Sequence, residues 1–269
     1  MPFISVRVSH SPLLVLSGRA LPARRIRAAA GRISALANAV ESTGLSQPRA
    51  VVFDLGKVLL DFDFCKSSAR LAAACQASPQ TRPEVLLELF GHAPAGTATG
   101  LLDAWAGVSL VEQLERGQLS GREFYQAVTS ASGLQVDFPT FAELYADIFT
   151  EVPPMIAQQQ LLLRAGVPCY LMSNCSGLHI DDVRRRYPFF NTFTGLILSY
   201  EVRSFKPDPE IYAAAEHLAQ MSGPDLLFID DREENAAAAA QRGWQAIHHS
   251  SPAATLHRLR QLGLPTVDL

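Results

Sequence analysis

No apolar run in this chain approaches the roughly 20 residues a helix needs to cross a bilayer, so a membrane-spanning role is not expected. Basic charge is also short: 23 lysines and arginines stand against 26 acidic residues, a formal net charge of −3. Without a basic field a polyanion such as nucleic acid has little to hold it, whereas a small anion needs only a few local positive groups. Cysteine is scarce, and none of Cys65, Cys75, Cys169 and Cys175 forms a C-x-x-C pair. Their neighbours are those of buried helices and strands, so all four are expected to be reduced and in or near the core, as in a cytoplasmic protein. Internal repeats are lacking as well. What is plentiful is apolar material, 48% of 269 residues, enough to bury a full core in one domain or in two unequal ones.

Charge is spread unevenly. Residues 1–48 hold six arginines, no lysine and one acid, Glu41; every other acidic residue comes later. That asymmetry predicts a boundary just before Pro48, with a mobile or loosely helical extension ahead of it. Enrichment in Ser, Ala and Arg with few acids is also the composition of a transit peptide, which would direct the protein to an organelle.

From Ala50 the pattern changes. Five segments read as short buried strands: Ala50–Asp54, Pro168–Ser173, Gly195–Tyr200, Leu226–Asp230 and Gln245–His248. Helical stretches such as Pro209–Ala219 and Glu234–Arg242 fall between the later ones. This alternation predicts an α/β fold, a Rossmann-like parallel sheet with helices on both faces. The alanine run Ala236–Ala240 is expected to lie close against the sheet. Between the first and second strands, roughly Lys66 to Glu151, only helices are predicted: Ser67–Gln76, Pro83–Phe90, Leu101–Arg116, Gly121–Ser132 and Pro139–Phe149. An insertion of that kind would cap the carboxyl ends of the strands, where open α/β sheets bind ligands. The expected division is an extension at 1–48, a core at 49–64 and 152–269, and a helical cap at 65–151.

The strand ends carry the chemistry. Asp54 follows the first strand, in a position suited to a reacting carboxylate. Ser173 ends the second and is followed by Asn174. Lys206 comes after the third, in Ser204-Phe205-Lys206-Pro207-Asp208-Pro209, and the fourth ends in Asp230 and Asp231, adjacent carboxylates that repel and so call for a cation. Each residue alone has an ordinary reading as a turn, cap or surface group. Together they supply a nucleophile, a hydroxyl, a fixed positive charge and a hard-metal site, the inventory that phosphoryl transfer requires.

Asp54 in FDLGKVLLD, Ser173 in LMSNCS, Lys206 in SFKPDPEIY and Asp230-Asp231 in FIDDREEN resemble, in order and spacing, the four motifs of the haloacid dehalogenase (HAD) superfamily. The likeness runs from about Ala50 to the end of the sequence. FDLG, LVEQLERGQLSGREFY and LILSYEVRSFKPDPEIY further resemble the branch containing bacterial α-glucose-1-phosphate phosphatase. The resemblance implies a Mg2+-dependent phosphatase for a small phosphomonoester, sugar phosphates foremost, working as a monomer or homodimer. Asp54 would be nucleophile and metal ligand; the Gly56 carbonyl and Asp231, with Asp230 beside or behind it, would complete the metal site. Ser173 and the backbone at Asn174 would bind phosphoryl oxygens, and Lys206 would hold both nucleophile and phosphate.

One departure stands out. Phosphatases of this superfamily mostly carry a second aspartate two residues after the nucleophile, as general acid and then base, and here that position is Gly56. Loss of such assistance costs about 10²- to 10⁴-fold. Asp61 and Asp63 are candidate substitutes, each also readable as a solvated or capping carboxylate. The glycine leaves open a hydrolytic dehalogenase, which needs no metal, or a non-catalytic protein that binds phosphosugars. His179 reads as a packed or surface residue rather than a substrate contact, His248 and His249 as strand end and loop, and Trp105 and Phe124 as core of the cap.

Overall fold

The computed structural model describes residues 46–76 and 109–268, which lie in a compact unit spanning Leu45–Leu269. The expected extension up to residue 45, the helix Pro83–Phe90, Trp105 and the first part of Leu101–Arg116 lie outside the described residues.

The centre is a five-stranded parallel sheet. β1 (Ala50–Phe53), β4 (Cys169–Ser173), β5 (Gly195–Leu198), β6 (Leu226–Asp230) and β7 (Gln245–His248) are arranged in the order β5-β4-β1-β6-β7. β1 lies in the middle, its four residues all buried, because side chains on both faces are covered. Val51 and Phe53 point to one face, where α5 (Pro153–Arg164), α6 (Gly177–Arg186) and α10 (Pro252–Gln261) contribute Met155, Leu162, Ile180, Val183, Leu256 and Leu259. Ala50 and Val52 point to the other, against α8 (Pro209–Ala219) and α9 (Glu233–Gln241) with Ile211, Tyr212, Ala215 and Ala239. In the alanine run, Ala236 and Ala239 are the buried members, three residues apart on the sheet-facing side of α9. The predicted strand Gly195–Tyr200 stops early: Ser199–Val202 forms a single helical turn, α7.

Between β1 and β4 the expectation of helices alone needs correction. β2 (Leu60–Phe62) pairs antiparallel with β3 (Phe149–Glu151), Leu60 opposite Glu151 and Phe62 opposite Phe149. Three-residue strands on a half-exposed ribbon are too short for an alternating pattern to be read. The described helices between them are α1 (Phe64–Gln76), α2 (Leu110–Glu115), α3 (Gly121–Ser132) and α4 (Phe138–Ala146). They share a separate core of Leu71, Leu114, Phe124, Val128, Phe141 and Tyr145, with Phe124 fully buried as expected. α3 is bounded by local chemistry, a capping box between Ser120 and Glu123 and a left-handed Gly133 at its end. Cys65 is a second correction: it is exposed near the start of α1 rather than buried, whereas Cys169 and Cys175 lie in the core.

The turn after α2 is docked tightly. Gly117 has φ +66°, and a Cβ there would lie 2.2 Å from the Tyr200 carbonyl oxygen in α7, so only glycine allows both the conformation and the approach.

Candidate active site

Register brings the first pair of acids together. Phe53 of β1 lies beside Ile229 of β6, so the next residues, Asp54 and Asp230, emerge side by side; the Asp54 N–H donates to the Ile229 carbonyl at 2.9 Å. β1 and β6 are also where the strand order changes direction, the place where a crevice opens in such sheets. On the other side of β1, Leu171 of β4 pairs with Phe53, which carries Ser173 and Asn174 past the same edge.

Lys206 joins the two acids. Its Nζ is 2.7 Å from Asp54 Oδ1 and 2.7 Å from Asp230 Oδ2. The long side chain is held by its own backbone: the Asn174 amide donates to the Lys206 carbonyl at 2.9 Å and accepts from the Lys206 N–H at 2.8 Å. The Asn174 side chain is therefore committed to the lysine loop, leaving its backbone for any ligand. Ser173 is buried, its hydroxyl making only a long 3.5 Å contact to the Asn174 carbonyl, so it retains most of its donor capacity.

Asp230 is fully buried. Besides Lys206, it accepts from Asn235 Nδ2 and from the Arg232 N–H, both at 2.9 Å. Asp231 is half-buried and lines the cavity above the sheet edge. Carboxylate oxygens of Asp54, Asp230 and Asp231 lie within 4.8 Å of one another. Three acids thus face one ammonium. Burial pushes Asp54 up to about 7 despite the pull of Lys206, with Asp230 and Asp231 adding to the rise. Burial works against the Lys206 ammonium too, yet Asp54 and Asp230 outweigh it and hold Lys206 above its ordinary value. An excess of negative charge on all-oxygen donors, with no thiolate or imidazole among them, suits a hard divalent cation such as Mg2+.

The cavity, of about 340 Å3, reaches from these groups to the helical excursion and its base, with Phe62, Phe64, Val111, Ile148 and Phe149 on its walls. Asp61 and Asp63 take no part in it. Asp61 pairs with Lys57 and Asp63 accepts from the Cys65 N–H at the start of α1, the capping and solvated roles open to them from the sequence. At position 56 a Cβ would come within 2.8 Å of Phe62 Cε1, so a side chain there would have to displace that ring.

A family profile, "Hydrolase: haloacid dehalogenase-like hydrolase", matches residues 48–243. The chain belongs to the haloacid dehalogenase-like hydrolases. Among its curated relatives, the sesquiterpene phosphatase astK of Aspergillus oryzae is 28% identical over 153 residues, 56% of this chain and 78% of that protein. The D-ribitol-5-phosphate phosphatase of Bacteroides thetaiotaomicron is 24% identical over 204 residues, 72% of this chain and 88% of that one. A solved HAD family enzyme of Bacteroides thetaiotaomicron, described as a complex with magnesium and inorganic phosphate, superposes with a TM-score of 0.60 at 23% identity, covering 74% of this chain and 93% of its own.

The remaining candidates sort by burial. His248 ends β7 exposed, and His249 is buried with its Nδ1 2.7 Å from Thr255 Oγ1, strand end and loop as read. His179 of this HAD hydrolase is packed, stacked 4.6 Å from the Tyr145 ring, but it also lines the cavity, and its Nε2 has no hydrogen-bond partner among the described residues. Burial lowers His179 to about 4 from the usual 6.5, a bond to the Tyr145 backbone offsetting this only in part. The unfolded chain therefore takes up the proton first, and stability is lost as pH falls from about 6.5 to about 4, by roughly 3 kcal/mol. Urea unfolding across that window should show a steeper loss in the parent than in His179→Asn; equal slopes would refute it. Glu115, at the end of α2, lines the same cavity. Sequence reasoning passed over it, since a lone glutamate closing a helix has no pattern of its own.

Proposed function

We propose that the protein hydrolyses a small phosphate monoester in two steps through a phospho-Asp54 intermediate, with Mg2+ as cofactor. The observation that carries this reading is the placement of Lys206 between Asp54 and Asp230, 2.7 Å from each, with Asp231 close enough to share a cation and with Asp54, Lys206 and Asp231 lining one cavity. Asp54 Oδ attacks phosphorus as the ester P–O bond breaks, and water then displaces the phosphoryl group from Asp54. Asp54, Asp231 and the Gly56 carbonyl, with Asp230 behind them, would hold the metal, which when bound would keep the buried Asp54 ionised and offset phosphoryl charge. Ser173 and the Asn174 N–H receive phosphoryl oxygens, and Lys206 neutralises both partners of the reaction. α1–α4 act as a cap that selects the alcohol.

Sugar and polyol phosphates lead as substrates. A cavity of about 340 Å3 suits a ligand of that size, and its aromatic walls can lie against the apolar face of a sugar. With the reading goes a cytoplasmic enzyme, monomeric or homodimeric, acting on free small molecules. The test is phosphate release from a panel of sugar, polyol, prenyl and aryl phosphates, with Mg2+ and with EDTA. Release from a sugar or polyol phosphate that collapses in EDTA is expected. Activity indifferent to the chelator, or halide release from a 2-haloacid in place of phosphate release, would favour the dehalogenase chemistry that Gly56 leaves open.

A further inference from the structure

The strand-end cluster leaves one role of the reaction unfilled. Both steps proposed above need a proton carrier at the ester oxygen: an acid for the leaving alcohol, then a base for water. Position 56 is glycine and carries no carboxyl, and Asp61 and Asp63 do not line the cavity. The acids that do line it, among the described residues, are Asp54, Asp231 and Glu115. Asp54 is taken as nucleophile and Asp231 belongs to the cation site, so Glu115 is the carboxyl without an assignment.

The backbone around Glu115 is also tied to the loops at the strand ends. Ser199 Oγ donates to the Glu115 carbonyl at 2.7 Å and accepts from the Cys175 N–H at 2.9 Å, joining the end of α2 to the loop that follows Ser173 and Asn174. The next residue, Arg116, donates to Asp208 at 3.0 Å and lies 4.4 Å over the Phe205 ring, joining the same point to the loop that carries Lys206. Gly117 then seats against Tyr200. The backbone at Glu115 and the side chain of Arg116 are thus fastened to the two loops that would grip the phosphoryl group, which anchors the end of α2 beside the cavity that Glu115 lines.

We propose that Glu115 is the general acid and base of this enzyme, a role that rests on the phospho-Asp54 reading. As the Asp54 Oδ–P bond forms and the ester P–O bond breaks, the Glu115 carboxyl passes its proton to the departing oxygen. The resulting carboxylate takes a proton from water while the water oxygen bonds to phosphorus and the Asp54–phosphorus bond breaks, which releases phosphate and restores the acid. Burial pushes Glu115 up to about 7, with Glu112 on the same helix adding to the rise, so both forms are present near neutrality, as a group that gives and regains a proton requires. The groups facing it from other elements, Tyr145 on α4 and Cys175 after β4, are themselves pushed to higher values by burial and stay uncharged. Glu112 is paired with Arg116 at 2.9 Å. His179, lowered to about 4, lacks a proton to spare at neutral pH.

The experiment uses p-nitrophenyl phosphate with Mg2+, because its leaving group departs without protonation while hydrolysis of the phosphoenzyme still needs the base. Glu115→Gln should release about one equivalent of p-nitrophenol in a burst. Its steady rate should then be about 10²- to 10⁴-fold below the parent, with phosphoenzyme accumulating in the intact-protein mass. Glu115→Asp, which keeps the carboxyl, should restore part of the steady rate. A steady rate for Glu115→Gln within about threefold of the parent overturns the proposal, as does a raised KM at unchanged kcat, which would make Glu115 a binding residue. Loss of the burst in a folded, Mg2+-binding variant also overturns it. Asp54→Asn should show neither burst nor phosphoenzyme; turnover surviving in Asp54→Asn overturns the underlying reading along with this one.

Discussion

Replacing Asp54 by asparagine is expected to lower kcat by about 10⁴-fold or more, the scale seen when a covalent nucleophile is removed, with a much smaller change in KM. The amide keeps the shape of the carboxylate. Its Oδ1 can still accept from the Leu55 N–H, a 2.7 Å bond in the parent, and Lys206 keeps its bond to Asp230 at 2.7 Å. Binding of phosphate should therefore persist while the chemistry stops. Phosphate-release kinetics on the best substrate of the panel decide the matter, and a variant within about tenfold of the parent would mean that another group attacks phosphorus.

Lys206→Met is expected to damage stability and catalysis together. In the parent the Lys206 ammonium is almost wholly buried and is the shared partner of two buried acids. Removing it leaves Asp54 and Asp230 side by side with no counter-charge between them, and deleting one member of a buried ionic group typically costs about 3–5 kcal/mol. Loss of a positive group aimed at the transferring phosphoryl should lower kcat by about 10²- to 10³-fold. The pH dependence has a definite sign. Asp54 already stands above the usual carboxylate range, raised by burial, and loss of the lysine raises it further. The folded state then binds protons more readily than the unfolded one, so the deficit is small at low pH and grows as pH rises through neutrality. Urea unfolding in EDTA at pH 5 and pH 8 measures this. A deficit of the same size at both values would remove charge as the cause and point to lost packing of the lysine stem.

Position 56 shows how one residue decides two things. Glycine there was legible as a missing acid, but its reason was not. The space a side chain would need holds the Phe62 ring, which also packs at 5.3 Å from Phe64 and 4.7 Å beneath the Lys57 ammonium. Phe62 belongs to β2, one of the two short strands that the periodic pattern did not reveal.

The sequence alone determined the parallel core and the identity of the strand-end groups. Fully buried strands are written as continuous apolar runs, and the polar residue that closes a run is legible as such, which is why Asp54, Ser173, Asp230 and Asp231 could be named without coordinates, while Lys206 stood out in the proline-stiffened turn after the third strand. Only the tertiary structure decided how they meet. The pairing of Phe53 with Ile229 sets Asp54 beside Asp230, the Asn174 amide closes on the Lys206 backbone across 32 residues of chain, and Ser199 holds Glu115 across 84. Periodicity records which face of an element is buried. It carries no record of which distant element does the burying, and that choice placed Glu115 on the cavity wall and left Cys65 outside the core.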